Sequence, residues 1–182
     1  METNSKKIQW AIDPAHSEIS FRVKHLMITN VKGSFKEFTA VVVTDGDDFT
    51  SAEIRFSMNP ASIDTGDSQR DAHLKSADFF DVGKYQEAGF TATSFTKTGP
   101  SSFKLKGDLT MRGITKPVSL DVEFLGTMKD PWGNMKAGFT VSGTINRKEW
   151  DLNWNAALET GGVLVSEEVK IMCEIQLIRK EL

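Results

Sequence analysis

Three histidines and one short polar cluster are the residues with which this sequence could do chemistry. His16, His25 and His73 do not form the HxH or HExxH spacings that place two imidazoles on one metal ion. We therefore expect histidines that make structural hydrogen bonds, and no metal site. The sequence also has no nucleophile elbow, P-loop or GxGxxG fingerprint, so an enzyme has little positive support.

The densest polar cluster is Arg70-Asp71-Ala72-His73, and it has three interpretations. It could be part of a capped helix tied by local ion pairs, such as Asp71 with Lys75 at i+4. It could instead form a polar rim for a ligand head group, with Arg70 donating to an anion. An enzyme would use Asp71 and His73 as acid–base groups, although two residues apart on a helix they point to different faces.

The single cysteine and the charge balance exclude several classes of protein. Cys173 alone cannot form an intramolecular disulfide, a thiolate zinc cluster or a CxxC redox site. It lies on the apolar face of the last predicted strand, where we expect a small core residue rather than a reactive thiol. The chain carries 22 Lys and Arg against 25 Asp and Glu, dispersed along its length. This balance excludes a strongly basic nucleic-acid binder and gives no polybasic membrane patch.

The length and the first residues of the chain indicate its organisation. A chain of 182 residues is expected to fold as one domain over residues 1–182. No run of about 18 apolar residues exists that could cross a bilayer as a helix. The first seven residues lack the apolar stretch of a secretory leader. The sequence as given is therefore predicted to be cytoplasmic, or periplasmic if a leader was removed.

Apolar residues alternate with polar ones along most of the chain, which is typical of β-strands with one dry face. Ile19, Phe21 and Val23 show this period of two, and it recurs later, up to the run from Val169 to Leu177. Short turns rich in Gly, Pro and Asp separate the runs. The pattern predicts an all-β fold, an antiparallel up-and-down barrel of about eight strands that closes to bury its dry face.

Two stretches break the alternation and are predicted to be short helical segments at the ends of the barrel. The first lies near residues 67–75, where Asp67 is a plausible N-cap. The second lies near residues 148–156, where Trp150 and Trp154 stand four residues apart and could pack as one helical turn.

Phenylalanine is unusually common, with 12 Phe against one Tyr. Rings without a polar group favour dry surroundings. These rings could fill the barrel by touching each other, or they could line an open pore for an apolar chain. The sequence does not distinguish the two arrangements, because both place the same residue types inside. The rings that would line a pore are Phe21, Phe35, Phe56, Phe90, Phe95, Phe103, Phe124 and Phe139.

Several motifs resemble, in order and spacing, those of the YceI-like family of polyisoprenoid-binding proteins. The resemblance covers about residues 8 to 180. It rests on Trp10-x-Ile12-Asp13-Pro14-x-His16-Ser17, Phe21-x-Val23-Lys24-His25-Leu26, Val31-x-Gly33-x-Phe35, Ser62-Ile63-Asp64-Thr65, Arg70-Asp71-Ala72-His73-Leu74-Lys75-Ser76-x-Asp78-Phe79-Phe80-Asp81, Gly107-Asp108-Leu109-Thr110-Met111-Arg112-Gly113-Ile114-Thr115-Lys116-Pro117-Val118, Ile145-Asn146-Arg147-Lys148-Glu149-Trp150 and Val169-x-Ile171.

The resemblance implies an elongated, lipocalin-like barrel around a dry tunnel. It further implies non-covalent binding, as a carrier or buffer, of a long apolar lipid such as a quinone tail or polyprenyl phosphate. No other cofactor is expected. On this basis the expected ligand-binding residues are Phe21, Val23, His25, Phe35, Phe56, Arg70, Asp71, His73, Phe79, Phe80, Phe90, Phe95, Phe103, Leu105, Phe124, Phe139 and Trp150.

Other functions stay open at this point. Some similar proteins are associated with fatty acids or their amides, which gives an alternative ligand. An enzyme acting on a prenyl or lipid substrate would use Asp71 and His73. A barrel filled by its own rings would instead serve as an interaction protein. The resemblance also allows a homodimer, although no strand edge in the sequence identifies an interface.

Overall fold

The computed structural model describes residues 6–159 and 162–180, and most of its regular structure is β-strand. Residues 1–5, part of the segment used to judge a secretory leader, lie outside the described residues. Within the described part of the chain, no helix is long and apolar enough to span a membrane. The strands are β1 (Lys7–Ile12), β2 (Glu18–His25), β3 (Thr29–Phe35), β4 (Phe38–Asp45), β5 (Asp48–Met58), β6 (Ile63–Asp64), β7 (Ala88–Lys97), β8 (Ser102–Met111), β9 (Ile114–Lys129), β10 (Met135–Asn146) and β11 (Val165–Lys180).

The strands close into one antiparallel ring. The early strands are interrupted, so that β1 and β2 both pair with β11, while β4 pairs with β1 and β3 with β2. In the same way β5 pairs with β4 and β6 with β3. When each interrupted pair is counted as one, the wall has eight strands, in the order β1/β2, β3/β4, β5/β6, β7, β8, β9, β10, β11. The predicted antiparallel, up-and-down, lipocalin-like barrel of about eight strands is confirmed.

Strand β11 pairs with three other strands of the barrel. One of its edges pairs with β10 along its length, and the other pairs first with β2 and then with β1. Its inward-facing side chains are those that the period of two in the sequence selects. They are Val169, Ile171, Cys173, Ile175 and Leu177, and all of them border the interior.

Two glycines allow Phe rings to lie against the wall of the barrel. Gly33 stands opposite Phe21, and a Cβ at Gly33 would lie 2.3 Å from Phe21 Cζ. A Cβ at Gly107 would lie 2.5 Å from Phe90 Cζ and also 2.5 Å from the Thr91 carbonyl oxygen. Since such distances are too short for any side chain, the two rings occupy space that only glycine leaves open.

The first predicted helical segment is confirmed as α1 (Ser68–Lys75). The Asp67 carboxylate caps it by accepting hydrogen bonds from the backbone N–H groups of Gln69 (2.9 Å) and Arg70 (3.1 Å). The second segment is shorter than predicted, since only Arg147–Trp150 forms a 3₁₀ turn. Asp151 follows with φ +59°, a left-handed conformation that ends the turn, so the helix expected over 148–156 does not form.

The two ends of the barrel differ in packing. At one end the Phe49 ring contacts the rings of Trp10, Phe124 and Phe139, with centroid distances between 5.2 and 5.4 Å. Trp10 is 1% exposed, and its Nε1–H donates to Thr44 Oγ1. The opposite end, where β11 begins, carries α1, the β2–β3 hairpin and the segment that follows the 3₁₀ turn. We call this second end the α1 end.

Candidate ligand cavity and its rim

A cavity of about 630 Å³ lies inside the barrel. This volume is within the range of about 300–1,000 Å³ found for small-molecule pockets. Side chains from all eight strand lines form its wall, and most of them are aliphatic or aromatic, for example Ile54, Leu120 and Ile171. The rings therefore leave part of the interior open, which favours the hollow arrangement over a barrel filled from end to end.

Thirteen of the seventeen predicted site residues border this cavity, and their contact with a ligand stays a prediction. Most lie on the inner faces of strands, and a smaller group lies on or just after α1. The thirteen are Phe21, Val23, His25, Phe35, Phe56, Arg70, His73, Phe79, Phe80, Phe90, Phe95, Leu105 and Phe139.

Two of the predicted pore rings do not reach the cavity. Phe124 packs behind other rings, 5.4 Å from Phe49 and 5.1 Å from Phe139 between centroids. Phe103 stacks on Phe95 at 4.5 Å with the planes 7° apart, and only Phe95 borders the open space. The alternation predicted the correct face of the strand for both rings, but it carries no information on depth along the barrel.

Trp150 also lies outside the wall of the cavity. It is fully buried, and its Nε1–H donates to the carbonyl oxygen of Leu109 on β8 (2.9 Å). This hydrogen bond and the burial of the indole hold the 3₁₀ turn against the barrel wall. Trp154, four residues later, borders the cavity instead.

Arg70 borders the cavity at the α1 end, and its orientation is fixed by Thr65. Its Nε–H donates to Thr65 Oγ1 (2.8 Å) and its Nη2 to the Thr65 carbonyl (2.7 Å), which leaves Nη1 without a partner among the described residues. The Asp71 carboxylate accepts from the N–H (2.9 Å) and Oγ1–H (2.6 Å) of the same threonine, so it does not border the cavity. A capped helix could have paired Asp71 with Lys75. Among the described residues these two side chains do not form an ion pair.

His73 borders the same end but takes no part in an acid–base pair with Asp71. Its Nε2 is hydrogen-bonded to Asp78 Oδ2 (2.8 Å). Its ring packs edge-on against Trp154 (4.6 Å) and Phe79 (5.2 Å). Because Asp71 and His73 each bind a different residue, they do not converge as an enzyme using both as acid–base groups would require.

Arg147 is a buried cation that the sequence analysis did not single out. It is 4% exposed and borders the cavity. Burial lowers its pKa from the usual value, and no carboxylate of the described residues lies within ion-pair distance. Its guanidinium donates instead to the backbone carbonyls of Leu152, Trp154, Val165 and Ser166. Through these hydrogen bonds Arg147 connects the backbone just before residue 155 to the backbone just after residue 164, at the α1 end.

Cys173 faces the cavity as the alternation of β11 predicts. Burial raises the pKa of its thiol to about 11, so the thiol is protonated at neutral pH. This agrees with the expectation of a small interior residue rather than a reactive thiol, and the reactivity itself stays a prediction. Among the described residues, no three His, Cys, Asp or Glu side chains stand close enough to hold a metal ion.

The cavity is also lined by residues outside the predicted site, and the sequence pattern identifies some of them but not others. Ile171 and Ile175 follow from the period of two on the last strand, and Trp154 was noted only as part of a helical turn. Phe49 follows a turn and lies outside any long alternating run, so the pattern gives no sign of its place in the wall.

Comparison with known proteins identifies the family. The sequence profile of the YceI-like domain matches residues 10–177. The chain belongs to the YceI-like family. A Staphylococcus aureus protein named UPF0312 (strain bovine RF122) is 43% identical over 162 residues, which cover 88% of this chain and 92% of that protein. The equivalent protein of strain USA300 is 42% identical over the same length.

Solved structures share the barrel of this YceI-like protein. The YceI protein of Campylobacter jejuni superposes with a TM-score of 0.75 at 31% identity, covering 87% of this chain and 90% of that chain. BcnA of Burkholderia cenocepacia gives 0.79 at 23% identity, covering 91% and 98%. A polyisoprenoid-binding domain from Saccharophagus degradans gives 0.66 at 14% identity, covering 94% and 98%. At these lower identities the last two show the common fold alone.

Proposed function

We propose that this YceI-like protein binds one long apolar lipid inside its barrel and acts as a carrier or buffer for it. The observation that carries the proposal is the cavity of about 630 Å³, whose wall is mainly hydrocarbon. Binding without catalysis is supported by family membership and by the separation of Asp71 from His73, each of which bonds elsewhere.

The volume of the cavity sets the length of chain that it can hold. A water molecule occupies about 30 Å³ in the liquid, and a methylene group needs similar room, so about twenty carbon atoms fit. At about 0.8 kcal/mol for each buried CH₂, such a chain gains roughly 16 kcal/mol before the costs of ordering. We infer that about four isoprene units lie inside and that a longer chain extends beyond the α1 end.

A polyisoprenoid is the ligand we favour. The domain from Saccharophagus degradans, which has the same fold, is described as polyisoprenoid-binding. Phe21, which lies against Gly33, and Phe90, which lies against Gly107, are among the rings that border the cavity. A fatty acid or fatty amide of similar length is the second candidate, because the same apolar wall would bury its chain.

Charges at the rim favour an anionic head group. Arg70 and Arg147 border the cavity, while Asp67 is the one carboxylate among its described lining residues. Arg70 has an Nη1 group available to donate, and a charge-assisted hydrogen bond from a guanidinium to a phosphate is strong. We therefore place polyprenyl phosphate ahead of a neutral quinone as the preferred ligand.

Calorimetric titration of the delipidated protein tests the proposal. Geranylgeranyl phosphate, with twenty carbons, should bind more tightly than the ten-carbon geranyl phosphate and more tightly than neutral geranylgeraniol. Arg70→Met should weaken binding of the phosphate by at least about tenfold and leave the alcohol unchanged, since a hydrogen bond to a charged group contributes about 1.5–3 kcal/mol. Arg55→Met, on an outward-facing and exposed residue, is the matched control. Folded protein that takes up none of these lipids would contradict the proposal.

A further inference from the structure

The β2–β3 hairpin ends in three apolar side chains that face solvent. Leu26 is 40% exposed, Met27 51% and Ile28 81%. The Ile28 N–H donates to the His25 carbonyl (3.2 Å) and closes a turn whose central residues, Leu26 and Met27, have φ +54° and +62°. Asn and Gly are the residues that favour such a turn, so local folding does not explain Leu and Met at these positions.

This hairpin tip lies at the α1 end, directly beside the cavity. His25 pairs with Val165 of β11, and both residues border the cavity. The Leu26 N–H donates to the carbonyl of Leu164 (2.8 Å), a further lining residue. The exposed apolar tip therefore continues from the rim through which a ligand would pass.

A row of cations crosses the outer face of the sheet below the tip. Arg22 stands opposite Lys32 on one side and Lys170 on the other, Lys24 follows on the same face of β2, and all four are exposed. Among the described residues, only Lys32 of these four has a carboxylate within ion-pair distance, Glu18 at 3.2 Å. Like charges opposite each other destabilise a sheet, so strand pairing does not explain the row.

The sequence disperses these four cations over three strands, and the sheet brings them together. The charge balance along the sequence, from which no polybasic membrane patch was expected, does not report this clustering in space. An exposed apolar tip next to a basic face is the combination that binds the interface of an anionic membrane.

We propose that the β2–β3 hairpin docks this protein on the surface of an anionic lipid bilayer. Leu26, Met27 and Ile28 enter the head-group region, and Arg22 and Lys24 lie against lipid phosphates. This orientation points the α1 end of the cavity at the bilayer, so that a hydrocarbon chain passes between the two with little exposure to water. The passage of a chain between cavity and bilayer rests on the proposed function, in which the protein takes its lipid from a membrane or delivers it to one.

The opposite end of the barrel supplies a control. Trp132, in the β9–β10 turn, is 84% exposed, and Met128 is 75% exposed. The register of β10 with β11 places this turn at the end away from the β2–β3 hairpin. Non-specific apolar adhesion would use Trp132 at least as much as Ile28, because tryptophan favours membrane interfaces.

Flotation with vesicles tests the docking. The delipidated protein should bind vesicles of phosphatidylcholine and phosphatidylglycerol more strongly than vesicles of phosphatidylcholine alone. Ile28→Asp should lower the partition coefficient at least tenfold, and Trp132→Asp should leave it unchanged. The double variant Arg22→Gln, Lys24→Gln should lower it by roughly thirtyfold on anionic vesicles and have no effect on neutral ones. Thermal melts would check that each variant is folded.

The outcomes separate docking from ligand binding. Equal loss with Trp132→Asp, or no loss with Ile28→Asp, would overturn the docking. So would a dimer in sedimentation velocity that Ile28→Asp dissociates, because the tip would then cover a second copy of the chain. Ile28→Asp should still bind geranylgeranyl phosphate without vesicles. If the unaltered protein binds vesicles but no prenyl lipid, the proposed function fails while docking stands.

Discussion

Filling the cavity should stabilise the protein, whereas adding the same side chain to a packed region should destabilise it. Ala52 borders the cavity, and Ala137 is 1% exposed and lies outside the cavity wall. A Phe side chain placed at Ala52 enters open apolar space, and its burial is worth about 1.5–3 kcal/mol. At Ala137 no space is open, and overpacking costs about 1–3 kcal/mol. The free energies of unfolding of the two variants should therefore change in opposite directions.

The same substitution should shorten the preferred ligand. The six carbons that Ala52→Phe adds would occupy room for about six of the roughly twenty ligand carbons, or about one isoprene unit. Urea unfolding of the delipidated variants, followed by tryptophan fluorescence, measures stability. Titration with prenyl phosphates of increasing length measures the preference. Equal destabilisation of both variants, with an unchanged length preference, would refute a hollow interior.

Three further predictions concern individual groups. Arg147→Met should lower the free energy of unfolding by about 3–5 kcal/mol in urea titrations, because buried carbonyls lose their donor; a loss below about 1 kcal/mol would contradict this. The Lys136 ammonium donates to the Asp13 carboxylate and holds the pKa of that carboxyl below its usual 3.8. The pair therefore stabilises the fold above pH 3.8, and this stabilisation is lost as the pH falls through the lower pKa of the folded state. Asp13→Asn should therefore flatten the acid side of the stability curve, and an unchanged curve would argue against the pair. With a thiol pKa of about 11, Cys173 should resist iodoacetate at pH 8 until the protein unfolds, as intact mass can show; rapid labelling of native protein would mean that the cavity admits water freely.

The barrel could be predicted from the sequence because its strands have one dry face. The run from Val169 to Leu177 identifies its inner side chains without any knowledge of the partner strands. The Asp67 cap of α1 could also be predicted, since capping is a local interaction. The absence of a helix after Trp150 could not be predicted. The chain there is held by Arg147, which donates to the carbonyls of Trp154 and Ser166, and a local sequence pattern does not report contacts between such distant residues.

The candidate site could be predicted only in part, for a physical reason. Alternation identifies the face of a strand but not the depth of a residue along the barrel, so Phe103 and Phe124 were indistinguishable from Phe95 and Phe139. Whether rings enclose space depends on the glycines across from them, such as Gly33, and on strand register. The row of cations at the β2–β3 hairpin likewise exists only after Arg22 and Lys170 are paired.

The most direct test of the account is to locate a bound chain by anomalous diffraction. Crystals of the delipidated protein would be grown with a brominated twenty-carbon lipid phosphate. We expect bromine peaks inside the barrel, between the walls that contain Ile54 and Ile171, with the phosphate near Arg70. Bromine found only on the outer surface, around an interior filled by the protein's own side chains, would contradict the account.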